Sequence, residues 1–381
     1  MSDASVAPQV GDLYPHDCPA DAPRYAVEAG AAAAIPARPI DRSRQAVLLM
    51  AYGSIASLDQ VPAYYTHIRG GRAPSAELLE ELTERYRAIG GTSPLSDHTE
   101  HQRAAVAAEL HRRGLDVPVL VGMKHIEPFI GDVVERLAAD GTTHVVAMAL
   151  APHFSTMSAC AYCHAVAEGR DAAAAAGPAG LTFEMVRDWH AEPRFIRALA
   201  AATYEALDAL WAAGSSARSN VTWALGSRLD THVVFTAHSL PARILERHDP
   251  YPELLRETAD LVASALGLHA WSFAFQSAGR TADPWLGPDL TDHLRVLAAQ
   301  GVREAVVCPV GFVADHLEVL YDIDIEAQAV AAELGLTLER ARSMNDDPVF
   351  VAGIADVLER RLAPAPAPAD SPDAAATAPA A

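Results

Sequence analysis

The sequence predicts an α/β fold with parallel sheets, arranged as two similar halves facing a cleft. Three observations carry this reading. Short, almost wholly apolar runs recur along the chain, stretches of helical period separate them, and polar, basic and aromatic residues gather just past the apolar runs. Strands buried on both faces of a parallel sheet read as continuous apolar runs rather than alternating ones. Ligands in such sheets lie beyond the carboxyl ends of the strands.

The first apolar run covers 46–51 and stops at Tyr52-Gly53-Ser54, a loop signal. Runs of the same kind follow at 117–122, 145–151, 232–237, 271–276 and 305–309. Helical periods fall between them at 76–89, 99–113, 130–139, 253–266 and 289–300. An Ala- and Gly-rich stretch at 170–181 is the expected junction of the two halves. The domain reading is therefore a first half at 44–169, a second at 170–342, and a C-terminal helix at 343–362 packing back on the first half. The Ala- and Pro-rich tails, 1–43 and 363–381, are expected to be disordered.

With 49 acidic and 29 basic residues the formal net charge is −20, which argues against nucleic acid as a partner, because a phosphate backbone rewards clustered Lys and Arg. No apolar stretch reaches the ~18 residues of a membrane span, and Met1-Ser2-Asp3-Ala4 does not open a secretory signal. The four cysteines (Cys18, Cys160, Cys163 and Cys308) are too scattered for a disulfide framework, which suits a reducing cytoplasm. Cys160 and Cys163 form a C-x-x-C pair, but no second pair completes a zinc or iron–sulfur site. Neither nucleotide-binding glycine motif follows a strand, so no nucleotide cofactor is expected.

The segment after 305–309 holds Asp315, Glu318, Asp322 and Glu326, spaced three, four and four apart. At about 100° per residue they share one helical face. A row of acids is commonly a solvated face. This one lacks Lys or Arg four residues on, and Leu317, Val319, Leu320, Ile323 and Ile325 leave little polar surface. Buried carboxylates without partners need a cation or a proton, so the row reads as a path for a hard divalent cation. His238 stands just past the 232–237 run and is stopped by Pro241. Facing the acids across a cleft, its neutral imidazole would bind a borderline metal or accept a proton. Aromatics beside arginines after the first runs suit a flat ligand with carboxylates at its rim.

Eight segments in order, MAYGS, YYTHIRGGR, RYRAIGGTSPL, GMKHIEPFI, LAPHFST, TAHSLP, FQSAGRTADPWLGP and PVGFVADHLEVLYDIDIEAQ, are similar to the ferrochelatase family. They most closely resemble the soluble type of Gram-positive bacteria that acts on coproporphyrin III. The resemblance covers roughly 46–362 and leaves out only the tails. It implies two Rossmann-like domains around a porphyrin cleft, and insertion of Fe2+ as substrate with release of two protons, yielding coprohaem III. It further implies that His238 is the metal-site histidine, Glu318 its carboxylate partner, and Asp322 and Glu326 the continuing metal path. Tyr52 resembles the axial contact to product iron. Arg69, Arg85, Tyr86, Ser93 and Tyr162 match positions that contact the macrocycle or its propionates. Zn2+ and Co2+ would also be inserted, since such ligands discriminate poorly.

Two departures stand out. Gly70 occupies a basic position of the family, removing one propionate contact, and no cysteine follows Cys308, which speaks against the [2Fe–2S] cluster of some relatives. The polar YYTHIRGGR segment, where membrane-bound relatives are apolar, favours coproporphyrin III over protoporphyrin IX. It also favours a soluble monomer without stable membrane insertion, meeting neighbouring haem-pathway enzymes only transiently. A chelatase for a corrin precursor and a non-catalytic haem carrier are the rival readings.

Overall fold

The structure, a computed structural model, describes residues 44–177, 180–214, 231–279 and 281–362; both tails, Cys18 and Arg280 lie outside the described residues. In the first half the order is β1 (Gln45–Ala51), α1 (Val61–Ile68), α2 (Ala76–Ala88), α3 (Leu95–Arg112), β2 (Val119–Met123), α4 (Ile130–Ala139), β3 (His144–Ala149), α5 (Ala159–Ala176) and β4 (Thr182–Val186). Helix α6 (Pro193–Gly214) leads to β5 (His232–His238), α7 (Tyr251–Leu266), β6 (Trp271–Gln276), α8 (Leu290–Ala299) and β7 (Glu304–Cys308). The chain then forms α9 (Leu317–Tyr321), a π-helix (Asp322–Ala327), α10 (Gln328–Leu334), β8 (Thr337–Arg340) and α11 (Pro348–Glu359).

Two four-stranded sheets result, ordered β2-β1-β3-β4 and β6-β5-β7-β8. Every pairing is parallel; Val47 lies opposite both Val119 and Val146, and Phe235 opposite both Phe273 and Cys308. The fold class is thus as the apolar runs predict. In each sheet the first strand lies beside the third, and the winding reverses between them. That reversal opens a crevice at the carboxyl ends of β1 and β3, and again of β5 and β7.

Four of the six apolar runs are the central strands, β1 buried throughout and β7 nearly so, and the other two are the edge strands β2 and β6. Strands β4 and β8 were not signalled, because each closes an edge and carries charge. Glu184 of β4 takes Arg361 Nη1 at 2.5 Å, and Arg340 of β8 reaches Asp324 at 2.6 Å. Charged side chains are a usual way to blunt a sheet edge, and they interrupt the apolar pattern. The boundary expected at residue 170 is corrected: α5 runs through it to Ala176 and feeds β4 of the first sheet. Consecutive alanines, which read as a linker, are strong helix formers.

Helix α11 starts at Pro348 behind Asp347, whose carboxylate accepts the N–H groups of Val349 and Phe350 at 2.8 and 3.1 Å. It packs on both α3 and α6. Arg113 donates to Asp356 and Glu359 at 2.6 and 2.8 Å, and Arg194 donates to Asp356 at 2.7 Å. A single core unites Val47 and Leu110, Phe235 and Val306, and Phe350 and Ile354.

Candidate functional site

His238 is the last residue of β5, and every bond around it fixes its ring. Its Nδ1–H donates to the Ser239 carbonyl in a very short contact. Ser239 is itself held, its N–H donating to Gln276 O at 2.7 Å and its Oγ to Leu286 O at 2.8 Å. Tyr251 Oη donates to the His238 carbonyl at 3.0 Å. Nε2 is left facing Glu318 Oε1 at 3.4 Å.

Glu318 stands in the first turn of α9. Gly311 makes the approach close enough: its N–H donates to Thr236 O at 3.1 Å, and a Cβ there would sit 2.5 Å from that of Ala237. Leu317 packs with Ile55, Val61, Tyr64 and Tyr86 of the first half, so α9 bridges the cleft. Gln276 Nε2 donates to the Glu318 carbonyl at 2.8 Å, and His316 Nε2 lies 3.6 Å from Oε2.

The electrostatics follow. Burial disfavours a charged imidazole, but the Glu318 carboxylate and the Ser239 carbonyl outweigh it, and the His238 pKa is pushed up to about 9. Burial likewise works against an ionised Glu318, yet His238 and His316 hold its carboxyl well below the usual range. Without a metal the pair is therefore imidazolium and carboxylate at neutral pH.

Two features of the acidic row also differ from expectation. Asp315 precedes the helix and takes no part: Ser343 Oγ, Asn345 Nδ2 and Arg340 Nη1 donate to it at 2.7, 3.0 and 3.1 Å. Asp322, at 7% side-chain exposure, is not unpartnered. Arg85 Nη2 from α2 donates to Oδ1 and Ser277 Oγ to Oδ2, both in very short contacts. A partner 237 positions away in the chain is invisible to a search four residues on. Burial still raises the Asp322 pKa to about 6, against Arg85 and Ser277 and with help from Glu318 and Glu326. Glu326 and Ile325 are exposed, and Glu318, Asp322 and Glu326 follow one another across the change from α- to π-helix. Among the described residues, no group of three His, Cys, Asp or Glu side chains forms a closed metal cage.

The first half presents other chemistry. Tyr52 follows β1 directly and is 40% exposed, its ring 4.4 Å from that of His125. Lys124 Nζ lies 5.7 Å from the ring centres of both Tyr52 and Tyr162, and burial lowers its pKa to about 8. His67 and His125 bring their Nδ1 atoms to 3.0 Å. Burial first, then Lys124 and His67, lower the His125 pKa to about 3. Neither Lys124 nor His125 had been assigned a role, although both follow β2 in the strand-end position that marks His238.

The expected ring-contact residues are placed unequally. Tyr52 is open, and Arg69 is half-buried with its guanidinium 5.8 Å from the Tyr65 ring centre. Tyr86, Ser93 and Tyr162 are buried, Tyr86 with its hydroxyl 3.1 Å from Ser54 Oγ. Arg85 lies over Tyr321 at 4.6 Å and on Asp322. Both cysteines of the C-x-x-C pair are buried, as is Cys308.

Two parallel α/β halves, one closing on rings and cations and the other on a histidine–carboxylate pair with acids behind it, define an enzyme of the chelatase class. More particularly, the chain belongs to the ferrochelatase family, whose model matches residues 44–362. It is 41% identical over 320 residues to a ferrochelatase of Deinococcus radiodurans, covering 83% of this chain and 96% of that one. It is 41% identical over 321 residues to the coproporphyrin III ferrochelatase of Halalkalibacterium halodurans, covering 83% and 97%. To the coproporphyrin III ferrochelatase of Bacillus subtilis it is 39% identical over 329 residues, covering 85% and 99%.

Proposed function

We propose that this protein inserts Fe2+ into coproporphyrin III in haem biosynthesis, giving coprohaem III and two protons. The observation that carries the chemistry is His238 Nε2 facing Glu318 Oε1 at 3.4 Å, with Asp322 and Glu326 leading outward. The two relatives named as coproporphyrin III ferrochelatases support the choice of porphyrin. So does the rim of the first half, where His67, Gly70, Gly71 and Arg72 are exposed and suit a substrate carrying several carboxylates. No described helix is long and apolar enough to cross a membrane.

In this reading the macrocycle lies against Tyr52, and Arg69 and Lys124 meet its propionates. Tyr86, Ser93 and Tyr162 support that wall from behind rather than touching the ring. Bending the ring exposes nitrogen lone pairs to one face, at a cost of ~1–5 kcal/mol drawn from binding elsewhere. Carboxylate oxygens of Glu326, Asp322 and Glu318 replace water on the incoming ion. A dication at Glu318 repels the imidazolium, so His238 gives its proton to solvent, and its imidazole then accepts the two pyrrole protons in turn, handing the first to solvent before taking the second.

Anaerobic Fe2+ insertion, followed optically with coproporphyrin III and protoporphyrin IX in parallel, tests this. The expected result is a strong preference for coproporphyrin III that vanishes in His238→Ala. Preference for protoporphyrin IX would overturn the substrate. Haem binding without insertion of any metal would leave a carrier, and insertion only into a corrin precursor would leave the other chelatase.

A further inference from the structure

Two histidines from different elements meet on the first half. His67 lies in the last turn of α1, and His125 stands just past β2, 58 positions on. Their Nδ1 atoms are 3.0 Å apart. At that distance one Nδ1–H donates, and the other nitrogen accepts with a bare lone pair. If the donor carries its proton on Nε2 instead, both Nδ1 lone pairs are available, and a hydrogen bond becomes two ligands. The spacing suits this. Two imidazole nitrogens about 2.0–2.1 Å from one ion and 3.0 Å from each other subtend about 90–95°. That is the angle between neighbouring ligands in a tetragonal or octahedral site, and it is narrower than the ~109° of tetrahedral zinc.

Both rings are held in place. His67 stacks on Phe129 with centres 5.2 Å apart, and His125 tilts against Tyr52 at 4.4 Å. Both line a groove of about 1140 Å3 whose walls come from the first half alone, from α1, α3, β2 and the turns beside them. The exposed carboxylates of Asp59 and Glu127 line the same groove and offer a cation a way in. The charge of Lys124 acts on His125 and opposes a cation there. An ion must therefore bind imidazole strongly to stay, and affinity for such ligands climbs from Mn2+ and Fe2+ to Cu2+.

We propose that His67 and His125 form a second metal site, a pair of neighbouring imidazole ligands for a tetragonal divalent ion, Cu2+ above all, with water at its other positions. It is separate from His238 and Glu318, and Fe2+, low in the affinity order, is not retained by it.

The test titrates porphyrin-free full-length protein with Cu2+ alone and reads bound copper by paramagnetic resonance. The unaltered protein and His238→Ala should both show a tightly bound copper whose signal is split by two nitrogens. His67→Ala, at an exposed position, should bind that copper at least about 10- to 100-fold more weakly, the loss seen when even an indirect support of a ligand is removed. His125→Ala should match it. About a 100-fold excess of Mn2+, at the bottom of the affinity order, should not displace the copper. Retention of the two-nitrogen copper in His67→Ala would overturn the inference. So would its loss in His238→Ala, which would give the copper to the His238–Glu318 pair. Absence of tightly bound copper from the unaltered protein would also overturn it and leave the two histidines a hydrogen-bonded pair.

Discussion

Tyr52 and His238 occupy matching places. One directly follows β1 and the other ends β5, the first strands of two sheets with the same order. The groups beside both are partly buried, yet the charges there move in opposite directions. Beside Tyr52, burial lowers Lys124 to about 8. At His238 burial pulls the same way, but Glu318 reverses it and the pKa rises to about 9. The fold supplies two equivalent platforms. The residues that neighbour each one decide that the first gathers rings and a lysine of lowered pKa, and the second a proton and carboxylates.

The largest expected effect breaks the second platform. His238→Ala should lower Fe2+ insertion by about 10²- to 10⁴-fold, the usual worth of a positioned acid–base group. Coproporphyrin affinity, read by quenching of its fluorescence, should stay within about twofold. Lys124→Met strikes the first platform and should do the reverse: affinity falls about tenfold through loss of a charge-assisted contact, with kcat nearly unchanged. In the unaltered protein that affinity should decline as pH rises past about 8, where Lys124 discharges.

Glu318→Gln sharpens the contrast through stability. The folded pKa of His238 lies above its ordinary 6.5, so the stabilisation is fully present below 6.5 and is lost as pH rises through about 9. Urea unfolding between those values should show this decline, and the variant should flatten it. The smallest effect is steric. Gly311→Ala pushes a methyl to 2.5 Å from the Ala237 Cβ and should cost about 1–3 kcal/mol, seen as a lower urea midpoint.

How much of this was legible depends on where the partner of each residue lies. Strands β1, β3, β5 and β7 announce themselves because burial on both faces leaves only apolar residues. Edge strands β4 and β8 hide behind Glu184 and Arg340, which serve the edge rather than the core. His238 and Glu318 were readable as strand-end residues, and they meet. Asp315 was misplaced because Ser343 and Asn345, its partners, lie some thirty positions on in a loop without any pattern. Arg85 carries a signal only in three dimensions. Lys124 and His125 stand out by the same strand-end rule that marks His238, but the rule places residues and gives them no role.

Helix α11 has a consequence for the newly made chain. Arg113, at the end of α3, must wait 243 positions for Asp356. At roughly 5–20 residues per second, the face of α3 that holds Val106 and Leu110 stays uncovered on the ribosome for tens of seconds. The first sheet can form during that time, but its outer helix cannot be sealed until α11 emerges from the exit tunnel. A nascent chain stalled before Pro348 would therefore display an apolar face for a chaperone to hold.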